Sequence, residues 1–559
     1  MRVSQRDHDA MAIRTTPSSP SSDQLSYRST TQRYRLDRYA ARCVNFVLVV
    51  TRIAVPGARS APRETGNQPR ALAGHQGQSP WLVAGQVTAG FGWTAAALFV
   101  GFATKMLLTR TMAAADLGVV LAAQAFTGLM LVVVELGVPD AVVRHVGADA
   151  AADAAPGRTV RTAMRIVSVS ALLTSGAALV ALFAWPNASM SGDAFIATAI
   201  LIAGAPAFAI GDVLGAAYRG VNRLGTKLFL LDVSRPGIVA IALLLSPLAI
   251  ARRAPYVAGL YVAGALLVLA GLWVLFNRDQ QWRGRGVSTA SELLRFGVPI
   301  AGAAILSGPL VNGLLPMMLS AWTGSAAVAF YGIALALQGI AGLPLGIFEQ
   351  VLLPVWARMA TVEAPGELAR SYQRYATICF SFATGLAIVL LANDRAVLTL
   401  LFGAHYAAAG TALKYALLAT LFAAWAGPNE AMLRATGLSR SILACRFITA
   451  VAGTASAAVL IPPHGLIGAV SAFALAVVVL NIAYGTALYR ATRIHPFTVR
   501  HAITTLAAMA AVAAALAGPA DFPDAGWVAA HVLAIVIVAA NADFQSSLGA
   551  VRARLMAHR

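Results

Sequence analysis

The stretches LGVVLAAQAFTGLMLVVVELGVPDAVVR at residues 117–144 and YGIALALQGIAGLPLGIFEQVLLPVWAR at 331–358 are one segment met twice. Nine of their 28 positions are identical: Gly118/Gly332, Leu121/Leu335, Ala122/Ala336, Gln124/Gln338, Gly128/Gly342, Leu129/Leu343, Leu131/Leu345, Glu135/Glu349 and Arg144/Arg358. A composition this rich in small and aliphatic residues gives about two or three identities by chance. The retained Gln, Glu and Arg weigh more than the Leu and Ala. Carried outward, the same 214-residue shift lays the apolar runs of residues 82–276 on those of 296–490, so the chain repeats a whole bundle rather than a motif.

The runs themselves say where the bundle sits. Of 559 residues, 58% are apolar and 12% charged, with a mean hydropathy of +0.71, which excludes a soluble globular domain or a disordered chain. Apolar windows predict helical spans at 82–109, 117–139, 164–185, 194–218, 228–250, 255–276, 296–321, 328–355, 373–392, 408–428, 441–461, 466–489, 502–519 and 526–541. Each is long enough to cross a hydrocarbon core of about 30 Å. The alternation of an outer-membrane barrel is missing. The expected fold is therefore an all-α polytopic membrane protein of about fourteen transmembrane helices. An even number of crossings per repeat makes both copies enter from one side. Two parallel six-helix lobes then face each other about a pseudo-twofold axis along the membrane normal, with two C-terminal helices added, and a passage between lobes opens by rocking. The expected segments are an N-lobe at 81–277, a linker at 278–295, a C-lobe at 296–490, and the last two helices with a basic tail at 491–559.

The net charge of +19 reads as topology. With a cytoplasmic N-terminus, 12 Lys and Arg fall before the first span and 23 in later cytoplasmic connections and the tail. Only six fall opposite: Lys105, Arg110, Arg252, Arg253, Arg395 and Lys414, with Arg235 inside span 5. Cations resist translocation, so both termini are expected to be cytoplasmic, and no nucleic-acid partner is needed to explain the charge. Residues 1–80, rich in Arg, Ser, Pro and Gln, read as a basic disordered tail or an upstream-extended start. The scattered Cys43, Cys379 and Cys445 imply neither a disulfide framework nor a metal site.

Catalytic signatures are missing too. There is no GxxxxGK[ST] phosphate loop, no HExxH, and no connection long enough for a nucleotide-binding domain, so a transporter without a cofactor is expected rather than an enzyme. A membrane polymerase or ligase would need a sizeable extracytoplasmic loop, which the short connections do not provide.

Several segments resemble the polysaccharide-transporter branch of the multidrug/oligosaccharidyl-lipid/polysaccharide exporter superfamily, the Wzx-type flippases. AADLGVVLAAQAFTGLMLVVVELGVPDAVVRHV at 114–146 is similar to that family's first hairpin. ELLRFGVPI at 292–300 and VAFYGIALALQGIAGLPLGIFEQVLLPVWARM at 328–359 resemble helices 7 and 8, and LFGAHYAAAG at 401–410 the turn before helix 10. LRATGLSRSIL at 433–443 with IPPHGLIGAVSA at 461–472 is the most specific match. The resemblance covers about residues 82–490. It implies a flippase that carries an undecaprenyl-diphosphate-linked oligosaccharide across a bacterial inner membrane for O-antigen, capsule or exopolysaccharide assembly. A polysaccharide polymerase and co-polymerase are the implied partners, besides the lipid-linked glycan and the bilayer. A lipid II or multidrug exporter of the same fold is the nearest alternative.

Such a cargo needs cations for its diphosphate and hydrogen-bonding groups for its sugars. Ionisable side chains inside spans come first, because isolated charge costs roughly 2.5–3.5 kcal/mol at a helix centre. Lys105, Arg235 and Lys414 are the phosphate candidates; alternatively Lys105 snorkels outward and Arg235 pairs with Asp232 within its helix. Glu135 and Glu349, with Arg144 and Arg358, form a gate between the lobes or pair within their own lobes. Asp212 and Glu430 are candidates for a coupling proton or cation. Gln124, Gln338 and Asn312 hydrogen-bond sugar or neighbouring helices. Pro299, Pro309, Pro316, Pro344 and Pro354 predict bends in spans 7 and 8. Gly211/Gly215 and Gly342/Gly346 predict close helix packing.

Overall fold

The computed structural model describes residues 80–517 apart from 152–155, 185–190, 222, 280–281, 283–288, 306–307 and 363–364. The basic N-terminal segment and the span expected at 526–541 lie outside the described residues. Among the described residues no strand occurs, as a hydrocarbon solvent requires of any spanning element other than a closed barrel.

Every span expected up to residue 517 is found as helix. The first repeat comprises α1 (Pro80–Thr111), α2 (Ala114–Glu135), α3 (Val138–Ala151), α4 (Gly157–Ala184) and α5 (Gly192–Gly220). A short α6 (Leu224–Lys227) runs through a π turn, Leu228–Ser234, into α7 (Arg235–Leu245), followed by α8 (Leu248–Ala251) and α9 (Ala254–Arg278). The second repeat comprises α10 (Ala290–Ile305), α11 (Gly308–Thr323), α12 (Ser325–Val362), α13 (Pro365–Ala392) and α14 (Asp394–Phe402). A 3₁₀ turn at Ala404–Ala409 leads into α15 (Gly410–Ala426), α16 (Asn429–Ala435) and α17 (Ser439–Thr492), and α18 (Val499–Ala517) follows. Among the described residues, eleven helical runs are long and apolar enough to cross a membrane. The 54-residue α17 turns back at Gly465 (φ 53°, ψ −123°) and so supplies two of the expected spans. Span 7 is described as α10 and α11 on either side of residues 306–307.

Each interruption has a local cause. Gly465 follows Pro462 and Pro463, which withhold two backbone donors. Gly427 (φ 83°) and Pro428 separate α15 from α16. Span 2, expected to reach residue 139, instead ends at Leu136 and Gly137, both with positive φ, and α3 starts afresh beyond them. Gly137 is required there: a Cβ would lie 2.1 Å from the Gly297 carbonyl oxygen, so the two backbones touch. Helix α12, in contrast, continues without interruption through Pro344 and Pro354.

Helix α2 is the hub, packing on α5 of its own repeat and on α11 and α12 of the other. The repeated glycines make that approach possible. A Cβ on Gly118 would stand 1.6 Å from the Ser325 carbonyl oxygen, and one on Gly332 would stand 2.8 Å from Leu121 Cδ1. Gly211 and Gly215 likewise receive Arg235 and Leu231 from the next span, whereas Gly342 makes only ordinary contacts at 3.7 Å and Gly346 meets nothing.

The apolar core shows which way the passage opens. Near the connections at 112–114, 251–254 and 402–410 it is one block joining both repeats, with Leu108, Leu117, Leu319, Val328, Phe402 and Leu413 among its members. Towards the arginine-rich connections it divides. One block, around Val138, Val160 and Leu214, belongs to the first repeat together with Leu293 of α10; another, around Trp356, Tyr372 and Leu488, belongs to the second. The apolar core is thus continuous between the halves at the face opposite the arginines and divided at the arginine-rich face. Helix α10 packs on α3 of the first half, while α11 packs both on α2 of the first half and on α17 of the second.

Candidate functional site: the passage between the halves

Residues three or four apart share a helix face, and on α1 one such stripe runs through Phe102, Lys105, Leu108 and Met112. Phe102 meets Phe402 of the other half edge-on at 5.5 Å between ring centres, and Leu108 and Met112 are buried in the joined core. The stripe therefore faces the other half. Lys105 lies on it about 9 Å inside the end of the helix, at 1.5 Å per residue. Its side chain is exposed. Lys105 has no ion-pair or hydrogen-bond partner among the described residues. The adjacent Thr104 donates to the Pro236 carbonyl at 3.0 Å, which ties α1 to α7 and fixes the stripe's direction.

The repeat-related Gln124 and Gln338 each hold a polar partner in their own half. The Gln124 amide lies beside the Tyr261 hydroxyl on α9. Gln338 Nε2 donates to Thr420 Oγ1 on α15. Asn312 and Arg358 lie outside the residues whose side chains are described.

Towards the arginine-rich face each half carries the same device: a glutamate from its second span, an acid from its fourth and an arginine from its fifth. In the first half, Arg235 Nη2 donates to Asp212 at 3.1 Å, with Glu135 beside Asp212. In the second, Arg446 Nη2 donates to Glu430 at 2.5 Å and its Nε to the Tyr484 hydroxyl at 3.0 Å. Arg434 donates to the same Glu430 carboxylate, and Glu349 lies beside this cluster. Arg235 engages a single carboxylate, keeps a buried Nε with no partner, and faces the Phe208 ring at 5.5 Å. It retains donors for a further anion.

Several sequence expectations are corrected here. Arg235 does not pair with Asp232; the π turn just before it shifts the register, and Asp232 takes Lys227 at 2.6 Å instead. Lys414 is not a free cation, since its ammonium lies 3.3 Å from the Asp394 carboxylate. Glu135 and Glu349 do not bridge the halves; each stays among charges of its own. Arg144 lies over the Phe296 ring at 4.4 Å rather than on a carboxylate. Sequence reading missed Arg446 and Tyr484, because the 214-residue shift puts Arg235 on Thr449, three residues away from Arg446. An arginine inside the apolar run 441–461 was the available signal.

Replacing Arg446 with Leu takes one of two cationic partners from a half-buried carboxylate. A loss of about 2 kcal/mol is expected, somewhat below the range for fully buried pairs. It is read as a lower melting temperature of the detergent-purified protein, and Arg446→Lys, which cannot serve Glu430 and Tyr484 with one planar fork, recovers only part of it.

Residues 87–360 match the model of a family described as polysaccharide biosynthesis protein. The fold is shared with solved transporters. An inward-facing multidrug resistance MATE family transporter of the MOP superfamily aligns with a TM-score of 0.56 at 16% identity, covering 73% of this chain and 96% of its own. The lipid II flippase MurJ, in an inward closed conformation, aligns at 0.62 and 11%, covering 82% and 99%. A MATE multidrug transporter, DinF-BH in complex with R6G, aligns at 0.54 and 12%. At such identities the likeness is one of fold. No curated protein matches the chain in sequence. The chain thus has the polytopic helical fold of these MOP-superfamily transporters, with an apolar core shared by its two halves at one face and divided at the other.

Proposed function

We propose that this exporter is a flippase for an undecaprenyl-diphosphate-linked oligosaccharide, moving it from the cytoplasmic to the outer leaflet of a bacterial inner membrane for O-antigen, capsule or exopolysaccharide assembly. The observation that carries this reading is Lys105, a cation without a counter-charge beneath the closed seam on the stripe that faces the other half. Isolated charge in a span is retained for a ligand of opposite charge, and a diphosphate is such a ligand. A passage for cationic drugs would instead present a free carboxylate at this depth.

On this reading the diphosphate enters from the arginine-rich, cytoplasmic face between the two charge clusters and is drawn up to Lys105. Arg235, with unused donors, is the earlier contact. The amides and hydroxyls of Gln124, Tyr261, Gln338 and Thr420 line the route for sugar hydroxyls, while the lipid tail stays in the bilayer. The facing carboxyls of Glu135 and Asp212 are where a coupling proton is exchanged as Arg235 turns to phosphate. Both termini are cytoplasmic, and a polymerase with its co-polymerase receives the product outside.

The decisive experiment deletes the gene and measures lipid-linked glycan on each leaflet. Accumulation on the inner leaflet is expected. Normal sidedness with unpolymerised units outside would reassign the chain to polymerisation. Asp212→Asn is expected to remove the dependence of export on a proton gradient while leaving membrane abundance unchanged.

A further inference from the structure

At the sealed face the two halves form an open cleft of about 680 Å³. Its walls come from the α1–α2 turn on one side, with Thr109 and Arg110, and from residues 399–406 on the other, with Thr399, Phe402, His405 and Tyr406. The volume falls within the roughly 300–1,000 Å³ of ligand pockets, and no acidic side chain is among the lining residues.

The polar groups on these walls are not consumed by the fold. Arg110 Nη2 donates to the Leu400 carbonyl at 2.5 Å and its Nε donates to that of Leu401 at 3.4 Å. It thereby caps the last turn of α14, whose end carbonyls carry partial negative charge. A guanidinium has five N–H donors, so three remain on an exposed side chain. Tyr406 is only 2% exposed, and its hydroxyl has no hydrogen-bond partner among the described residues. His405 is exposed, with its ring beside Phe330. Thr109 spends its proton on the Met106 carbonyl at 2.8 Å, which leaves its oxygen as an acceptor.

We infer that this cleft is a binding site for an anionic polyol, either a soluble sugar acid or the glycerophosphate headgroup of an outer-leaflet lipid. The guanidinium takes the acid group, the hydroxyls and imidazole take the polyol, and the ring faces of Phe402 and Tyr406 floor the site. Because the walls belong to different halves, the site exists only while the seam is closed. Its occupant must then favour the state parted at the arginine-rich face, by the differential affinity it has for that state. The binding half of the inference is independent of the proposed cargo; the conformational half uses only the rocking of the two halves.

The test uses the full chain in phosphatidylcholine nanodiscs, titrated calorimetrically with trigalacturonate and with neutral maltotriose. Trigalacturonate is expected to bind and maltotriose to bind far more weakly. Arg110→Gln is expected to weaken trigalacturonate binding by roughly tenfold to a hundredfold, the worth of a hydrogen bond to a charged group. Tyr406→Phe, which preserves packing, weakens it about fivefold. Spin labels at Ile250 and Trp322, exposed on either half, are expected to shift towards the short distance on saturation. Nanodiscs of phosphatidylglycerol separate the sources: if the occupant is lipid, the short distance is present without sugar and is lost in Arg110→Gln. The inference is overturned if neither trigalacturonate nor phosphatidylglycerol produces an effect that depends on Arg110 and Tyr406. It is also overturned if trigalacturonate and maltotriose bind equally.

Discussion

Replacing Gly118 with valine is expected to hold the seam open at the sealed face and to lower transport by about a hundredfold. A Cβ at this position would lie 1.6 Å from the Ser325 carbonyl oxygen and 2.4 Å from its carbon. Both are backbone atoms at the start of α12, so no rotamer change relieves the clash; α2 and α12 must move apart. Overpacking of this kind costs roughly 3 kcal/mol, equivalent to about a hundredfold in the population of the sealed state. Gly332→Ala is the matched control at the repeat-related position. Its Cβ would meet the far end of the Leu121 side chain at 2.8 Å, which can rotate, so a loss of about fivefold or less is expected. Gly342→Ala, with its neighbours at 3.7 Å, is expected to be neutral. Distances between labels at Ile250 and Trp322, measured beside transport in proteoliposomes, check the series. Wild-type transport by Gly118→Val with an unchanged distance distribution would show that the seam is not where the halves close.

The second large effect is expected at Lys105. Lys105→Gln removes the charge beneath the seam while keeping most of the side-chain length, and glycan export should fall by roughly tenfold to a hundredfold, the worth of a charge-assisted bond to phosphate. Lys105→Arg keeps the charge and should retain most export. Lys105→Glu should abolish it. Lys414→Gln gives the contrast, because Lys414 already answers Asp394, a side chain only 13% exposed. Its loss leaves that carboxylate without its cation, so it should lower thermal stability with little change in apparent cargo affinity. Arg235→Gln should act like Lys105→Gln but more weakly, since Asp212 already shares its charge. All comparisons are made at matched membrane abundance. Full export by both Lys105→Gln and Arg235→Gln would discard the pair as the phosphate site.

The fold was legible because its determinants are local. Twenty apolar residues in hydrocarbon have no alternative to helix, and the spacing of nine identities at 214 residues carries the doubling. The same locality explains what went unread. Asp232 and Arg235 stand three residues apart, which predicts an ion pair on an α-helix; one π turn sends Asp232 to Lys227 and leaves Arg235 for Asp212, 23 residues away. Asp394 was not considered beside Lys414, although α14 and the 3₁₀ turn fold it back onto α15. The acid partners of Glu135 and Glu349 sit two spans further along each repeat, where helix rotation rather than sequence spacing decides which face they present.

The sequence by itself determined the helical class, the doubling and the placement of cations at one face, because hydropathy and charge act on each segment separately, whatever its neighbours do. Only the tertiary structure decided which charges are spent and which are free. Pairing depends on the rotation and approach of helices from distant parts of the chain, and a backbone contact such as Gly118 on Ser325 sets that approach to within an ångström. For this reason Lys105, Arg235 and Lys414 read alike as cations within or at the ends of apolar spans, yet fold into one unpaired cation in the passage, one shared guanidinium and one neutralised ammonium.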